Sequence, residues 1–211
     1  MDKNIKPYLI GIAGGSASGK TLFLKKIREQ FGVDEVCIIS QDNYYRPAQN
    51  QKVDENGVIN FDLPEGVDEA RFLKDIDTLT QNNTVQYEEY TFNQPGVKGK
   101  MIVLEPAPVI MVEGLFLFHF TGVKNRLDLK VFMDAREDLK LARRIARDVA
   151  ERGLDEDTVL YQWYNHAIPS FNEHLLRYRD EADIIITNNV SFDKGFEVMR
   201  NHVIRVLSHG S

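Results

Sequence analysis

The sequence predicts an α/β protein of three layers, with helices on both faces of a central parallel β-sheet. Continuous apolar runs such as Val36-Cys37-Ile38-Ile39 and Val109-Ile110-Met111-Val112 end in polar or acidic residues, the pattern of strands buried on both faces. Segments with apolar residues at helical spacing alternate with them. Between the first strand and the first helix lies Gly14-Gly15-Ser16-Ala17-Ser18-Gly19-Lys20-Thr21, which fits the pattern GxxxxGKS/T at every fixed position.

That stretch is a phosphate-binding loop in its proper context, with Tyr8 to Ala13 as strand before it and Leu22 to Phe31 as helix after it. Successive backbone N–H groups and the positive end of the helix dipole form a concavity for phosphate oxygens. Gly14, Gly15 and Gly19 let the backbone approach, Lys20 reaches the outer phosphates, and the Thr21 hydroxyl suits a magnesium ion bridging two of them. The fold class is therefore that of the P-loop NTPases.

Taken in order, Val36 to Ser40 is the next strand, and it runs into Gln41-Asp42-Asn43-Tyr44-Tyr45. Ligands of open α/β sheets bind beyond the carboxyl ends of the strands, which places Asp42 and Tyr45 near the phosphate loop. Arg46 to Asn60 is polar loop, Pro64 discourages helix at the residue before it, and Asp68 to Leu79 reads as helix. From Thr84 to Leu104 the alternation of Val85 and Tyr87, then Tyr90 and Phe92, marks a β-hairpin insertion with a slip at Glu88-Glu89. Its turn falls at Gln94-Pro95-Gly96 or within Gly96 to Gly99, and Met101 to Leu104 returns. Val109 to Gly114 ends at a carboxylate, Glu113; Val131 to Asp134 and Asp183 to Thr187 are the last strands.

Asp134 and Glu137 have the spacing of a capping box, which opens a helix running to Arg152 with Gly153 as its stop. On it Leu141, Ala142, Ile145 and Val149 share one face, and Lys140, Arg143, Arg144 and Arg147 the opposite one. From the helix alone the basic face is solvated surface. In an enzyme that transfers a phosphoryl group it becomes a set of mobile cations that close over the reacting charge. Asp155 to His166 and Ser170 to Asp180, divided at Pro169, are further helices, and Ser191 to Leu207 is an amphipathic one near the C-terminus. Residues 137–180 thus read as a helical lid on a single domain spanning 1–211.

The 211 residues suit one domain with a small insertion. A net charge of −6 argues against a general nucleic-acid binder. No apolar run approaches the roughly 20 residues of a membrane span, and the N-terminus lacks the apolar core of a secretory signal, so the expectation is a cytoplasmic protein. Cys37 reads as a small buried side chain rather than a catalytic thiol, and the five histidines show no metal-ligand spacing and read as structural or surface residues.

Thr21, Asp42 and Glu113 converge beside the loop. Glu113, ending a central strand, is best placed to hold magnesium directly or through water; Asp42, ending a neighbouring strand, is better placed to accept a proton from a substrate hydroxyl. Each could instead serve as a turn or helix cap. A switch GTPase would share the loop, but the chain has no NKxD, and the DxxG letters Asp54 to Gly57 lie in a polar loop. A nucleotide-binding regulator without catalysis remains an alternative.

The chain resembles the uridine–cytidine kinases of the phosphoribulokinase/uridine kinase group of P-loop kinases. The resemblance rests on Ile10 to Thr21, Ser40-Gln41-Asp42 with Tyr44-Tyr45, Asn60-Phe61-Asp62 with Pro64, and Tyr90. It continues through Glu113-Gly114, Arg143 to Asp148, Glu151-Arg152-Gly153, Gln162 and Pro169. It implies magnesium-dependent transfer from ATP or GTP to a nucleoside 5′-hydroxyl, uridine or cytidine, with Asp42 as base and Thr21 and Glu113 on the metal. It further implies that Asp62, Arg144 and Gln162 engage the sugar, that Tyr45, Phe61, Tyr90 and Phe92 form the nucleoside pocket, and that Arg147 attends the phosphates. A homotetramer is implied as well. An alternative acceptor is another nucleoside or a small hydroxyl metabolite such as a sugar phosphate or a pantothenate-like compound. Two departures bear on this: the family's base-reading histidine is replaced by Pro95 after Asn93-Gln94, and its arginine after Glu-Arg-Gly by Leu154. The expectation is intact phosphoryl transfer with altered base selection, an amide from Asn93 or Gln94 standing in for the imidazole.

Overall fold

The computed structural model describes residues 6–92 and 97–209. Five parallel strands form the main sheet: β1 (Tyr8–Gly14), β2 (Val36–Ser40), β5 (Val109–Gly114), β6 (Leu129–Asp134) and β7 (Ile184–Thr187), in the order β2-β5-β1-β6-β7. Two short strands, β3 (Val85–Glu88) and β4 (Met101–Leu104), pair antiparallel as a separate ribbon.

Side chains along β1 show why the sheet needs two cover layers. Leu9 and Ala13 point into one apolar cluster with Ile39, Ile110, Val112 and Phe132; Ile10 and Ile12 point into another with Val36, Met111, Val131 and Met133. Every one of these residues is buried, so neither face meets water. Phe72, Ile76 and Leu79 of α2 (Glu69–Thr80) cover the first face. Phe23, Leu24 and Ile27 of α1 (Lys20–Gln30), with Met199 and Val203 of α8 (Asp193–His209), cover the second. This is the three-layer α/β/α architecture the apolar runs predict. Cys37 is buried in it, and burial pushes its thiol up to about 11, which leaves it inert.

Parallel register aligns the carboxyl ends of the strands. Ser40 pairs with Glu113 across β2 and β5, and Ile12 stands level with Glu113, so Gly14 ends β1 two residues beyond that level. Between β5 and β6 lies a short helix, α3 (Thr121–Lys124).

Helix α4 (Glu137–Arg152) departs from the sequence reading in two ways. Its N-cap is Arg136, with no side-chain cap; Asp134 belongs to β6, too far back to cap, and instead accepts a hydrogen bond from Arg179 Nε at 2.9 Å. The expected capping box is therefore absent. The helix also lies with its charged stripe inward. Lys140, Arg144 and Asp148 are buried, whereas Val149 is 44% exposed and Ala142 is exposed. Mutual pairing of charges outweighs burial of small apolar side chains here, so the basic face is not solvated surface.

Nor does Pro169 divide the next helical stretch. After α5 (Glu156–Gln162) come a π turn (Trp163–Ala167), α6 (Ile168–Ser170), a second π turn (Phe171–Leu175) and α7 (Leu176–Arg179). The wider turns on either side absorb the proline ring and its missing N–H without a break. The β3–β4 ribbon is shorter than the alternation suggests: pairing stops at Glu88, and Tyr90 and Phe92 lie beyond it. Residues 93–96, including Pro95, lie outside the described residues.

Gly153 ends α4 in the left-handed region (φ 66°), with open space where a Cβ would stand. Gly153→Ala should therefore cost only the backbone term, about 1 kcal/mol, measurable as a shift in the urea midpoint at constant m-value. Gly14→Ala should be far more damaging, because its Cβ would meet the Met133 carbonyl oxygen at 2.3 Å. Equal losses for the two variants would contradict this account.

Candidate active site

A cavity of about 570 Å³ opens at the carboxyl ends of the strands. On one side stand Ser16, Ala17, Gly19, Lys20 and Thr21 of the phosphate loop; on the other stand Asp42, Tyr45, Phe61, Asp62 and Phe92. Glu113 forms its floor, and Arg143, Arg144, Arg147 and Arg152 reach it from α4.

The loop is held from behind. Gly14 (φ 152°) and Gly19 (φ 108°) adopt backbone angles that L side chains rarely take. Asn188, just after β7, donates from Nδ2 to the Ser18 carbonyl at 2.9 Å, and a Cβ on Gly19 would strike that same amide nitrogen at 2.3 Å. Lys20 is buried and donates from Nζ to Gly14 O at 3.0 Å and Gly15 O at 3.4 Å, with Glu113 Oε1 at 3.7 Å. Its ammonium therefore stands under the concavity, where a phosphate can draw it outward.

Glu113 Oε2 accepts a hydrogen bond from the Ser40 hydroxyl at 2.7 Å. Burial pushes its carboxyl up; Lys20 pulls it down, Asp42 raises it, and the net shift is upward. A cation beside it would reverse that shift. Thr21 is exposed to the same cavity. A hydroxyl and a carboxylate are the hard oxygen donors magnesium takes, and this metal keeps several waters and phosphate oxygens rather than a full protein cage. No cluster of three or more metal-binding side chains occurs among the described residues.

Asp42 is exposed at the cavity wall in a short 3₁₀ turn, Gln41–Tyr44, which Ser40 Oγ caps by accepting from the Asp42 N–H at 3.3 Å. Tyr45, Phe61 and Phe92 meet edge to face, with centroids 5.3 to 6.0 Å apart. Tyr90 does not line the cavity. It packs behind, 4.7 Å from Phe92 and 5.7 Å from Tyr45. Burial first, then Asp42 and Asp62, hold the Tyr45 phenol well above its ordinary value, so it is neutral. Gly14, Gly15 and Ser18 likewise stand behind the cavity rather than in its lining.

Asp62 and Arg144 are both buried and face each other across two hydrogen bonds, of 3.3 and 3.0 Å. Arg144 Nε lies 3.4 Å from Asp148, which also accepts from Arg147 Nε at 2.7 Å and faces Arg152 Nε at 3.4 Å. Asp148 has no exposure at all. One hidden carboxylate thus gathers three arginines, and Arg152 caps the Phe92 ring at 4.6 Å. Sequence reasoning missed Asp148 and Arg152 as site residues; their i,i+4 spacing on α4 is the signal that could have found them. It also assigned His166 to structure or surface, whereas His166 is 3% exposed and lines the cavity beside Gln162. Leu154 lines it too.

Comparisons with known proteins agree with this geometry. The model of the phosphoribulokinase/uridine kinase family matches residues 9–193. The chain is 35% identical over 191 residues to a uridine kinase of Brevibacillus brevis, covering 89% of each chain. It is 33% identical over 215 residues to uridine-cytidine kinase 2-B of Danio rerio, covering 97% of this chain and 82% of that one. Phosphoribulokinase from Rhodobacter spheroides superposes with a TM-score of 0.59 at 15% identity, covering 87% of this chain and 71% of that one, a likeness of fold. The family match over most of the length, on a chain whose phosphate loop, strand-end acids and arginines meet in one cavity, means that this protein belongs to the phosphoribulokinase/uridine kinase family.

Proposed function

We propose that the protein is a nucleoside kinase that transfers the terminal phosphoryl group of ATP, or of GTP, to the 5′-hydroxyl of uridine or cytidine, with magnesium. The observation that carries this reading is the placement of a phosphate loop, a free carboxylate and an aromatic wall around one cavity. The donor's phosphates would lie on the loop, with Lys20 released from Gly14 and Gly15 toward them. Thr21 and Glu113 would hold magnesium, which when bound neutralises phosphate charge.

Tyr45, Phe61 and Phe92, backed by Tyr90, offer a flat base a surface to stack on, while Asp62, Arg144 and Gln162 suit ribose hydroxyls. Stacking and sugar contacts would hold the 5′-oxygen beside Asp42. As the oxygen–phosphorus bond forms and the bond to the donor's diphosphate breaks, the hydroxyl proton passes to Asp42. Arg147 and Arg152, brought together by Asp148, neutralise charge spreading over the transferring group. Residues 137–180 act as the lid in this reading, and 84–104 as the substrate-side insertion of one domain. A homo-oligomer, a tetramer by the family resemblance, is part of the proposal, as is the cytoplasmic location expected from the sequence. Among the described residues no helix is long and apolar enough to cross a membrane.

A second reading, a kinase of another nucleoside or small hydroxyl compound, draws support from Leu154, which places carbon in the cavity lining. Steady-state rates against uridine, cytidine, purine nucleosides, ribose, ribulose 5-phosphate and pantothenate separate the two. Strong preference for the two pyrimidine nucleosides would support the first reading and overturn the expectation of altered base selection; turnover of only another compound would replace the first reading, and binding of nucleotide with no turnover on any would favour a regulator.

Asp42→Asn should lower kcat by roughly 10²–10⁴-fold while ATP still binds, the range for loss of a general base. Unchanged kcat would remove Asp42 from that role. Arg147→Ala should reduce kcat more than it raises the nucleoside KM, and the opposite pattern would move Arg147 into the acceptor pocket.

A further inference from the structure

The acceptor side of the cavity is rich in carbon: the rings of Tyr45, Phe61 and Phe92, and the side chains of Ile59 and Leu154. A flat base seated there buries its faces well, but its edge carries hydrogen-bonding groups that cost free energy if left unpaired. Asp62 and Arg144, which hydrogen-bond each other, and Gln162 are taken up with the ribose in this reading. His166, four residues beyond Gln162 on the same helical wall, has no part in that and stands free for the base.

His166 is set up with unusual care for a wall residue. Its Nε2 lies 2.7 Å from Asp54 Oδ2, in the loop that also carries Ile59 into the cavity wall. The same carboxylate oxygen accepts from Tyr161 Oη at 2.8 Å, and Tyr161 Oη in turn accepts from Asn56 Nδ2 at 2.7 Å. The Val58 and Asn56 N–H groups donate to Asp54 Oδ1 at 2.8 and 2.9 Å. Desolvation raises the Asp54 carboxyl, but the hydrogen bonds from Val58, His166, Tyr161 and Asn56 outweigh it and hold the value at about 2. Asp54 is therefore an ionised, acceptor-only partner at neutral pH, and Nε2 must be the nitrogen that carries hydrogen. Asp54 is not part of the cavity lining, so Nε2 is committed to a group outside it. Nδ1 has no hydrogen-bond partner among the described residues. In the neutral ring it is a lone pair.

We propose that His166 reads the edge of the acceptor's base, its Nδ1 accepting a hydrogen bond from a ring N–H or an exocyclic amino group, with Asp54 as the positioning residue that fixes the tautomer. The proposal rests on the nucleoside-kinase reading and deepens it. It selects bases that present a donor at that edge, as uracil does through its ring N–H and cytosine through its amino group. A loop latch alone would use His166 only for its bond to Asp54 and would be indifferent to the acceptor's donor.

The test compares two variants of similar length and bulk that differ in the ability to accept a hydrogen bond. His166→Gln retains an acceptor oxygen and His166→Met does not. Both are assayed with uridine and with N3-methyluridine, whose ring donor is blocked. His166→Met should lose about 10- to 100-fold in kcat/KM for uridine, the cost of one unpaired buried donor, mainly through KM. His166→Gln should stay within a few-fold of wild type, and the rates on N3-methyluridine should be alike in both variants. Equal losses on uridine in the two variants overturn the proposal.

Binding of ATP serves as the folding control. If both variants lose it, Asp54→Asn, outside the cavity, carries the test. There the uridine KM should rise about tenfold with kcat within about twofold, and N3-methyluridine should be unaffected; an equal change for both acceptors overturns the proposal. A wild-type enzyme that phosphorylates no nucleoside overturns this proposal together with the function it rests on. Uridine turnover with indistinguishable His166 variants overturns this one alone.

Discussion

Gathering cations before the polyanion arrives is the constraint on which the rest of this structure depends. Lys20, Lys26, Arg143, Arg144, Arg147 and Arg152 all face one cavity in a chain whose net charge is −6. Left to themselves they would repel and swing into solvent. Asp148 prevents this by sitting at the centre of three of them with no exposure, and Asp62 holds Arg144 from the opposite wall. Lys20 is restrained separately, by two backbone carbonyls and Glu113. The cations are thus paired strongly enough to stay in place, and a phosphate with higher charge density can displace those partners.

This constraint also accounts for the orientation of α4. A stripe of arginines would ordinarily face water, but here Arg144 pairs with Asp62 and Asp148, Lys140 lies over the Phe171 ring, and Ala142 and Val149 take the outside instead. Periodicity alone cannot reveal that inversion, because it assumes that carbon is what gets buried.

How much was legible in the sequence follows the same division between local and distant causes. The phosphate loop could be read directly, since its glycines and Lys20 act within eight residues and their geometry is their own. The buried strands were legible because a parallel sheet covered on both faces leaves an uninterrupted apolar signature. Asp42 and Glu113 followed from strand ends. What could not be read depended on a remote partner: Arg179 takes Asp134 away from its supposed cap, Asp54 gives His166 a direction, and paired π turns let Pro169 ride inside a helix. Tyr90, which the family resemblance counts among the pocket aromatics, packs behind Tyr45 and Phe92 instead, because a motif match gives a residue's position in the chain and not which side chain reaches the ligand.

The strand order has a consequence for how the chain acquires its shape. β1 carries the phosphate loop, yet both of its neighbours come far later in the chain: Tyr8 pairs with Val109, and Ile10 with Leu129. Asn188, which braces Ser18, is later still. On a ribosome the nucleotide-gripping loop therefore waits, unsupported, while these later segments emerge, and its closure is a long-range and late event. The loop is translated well before the segments that give it a structure.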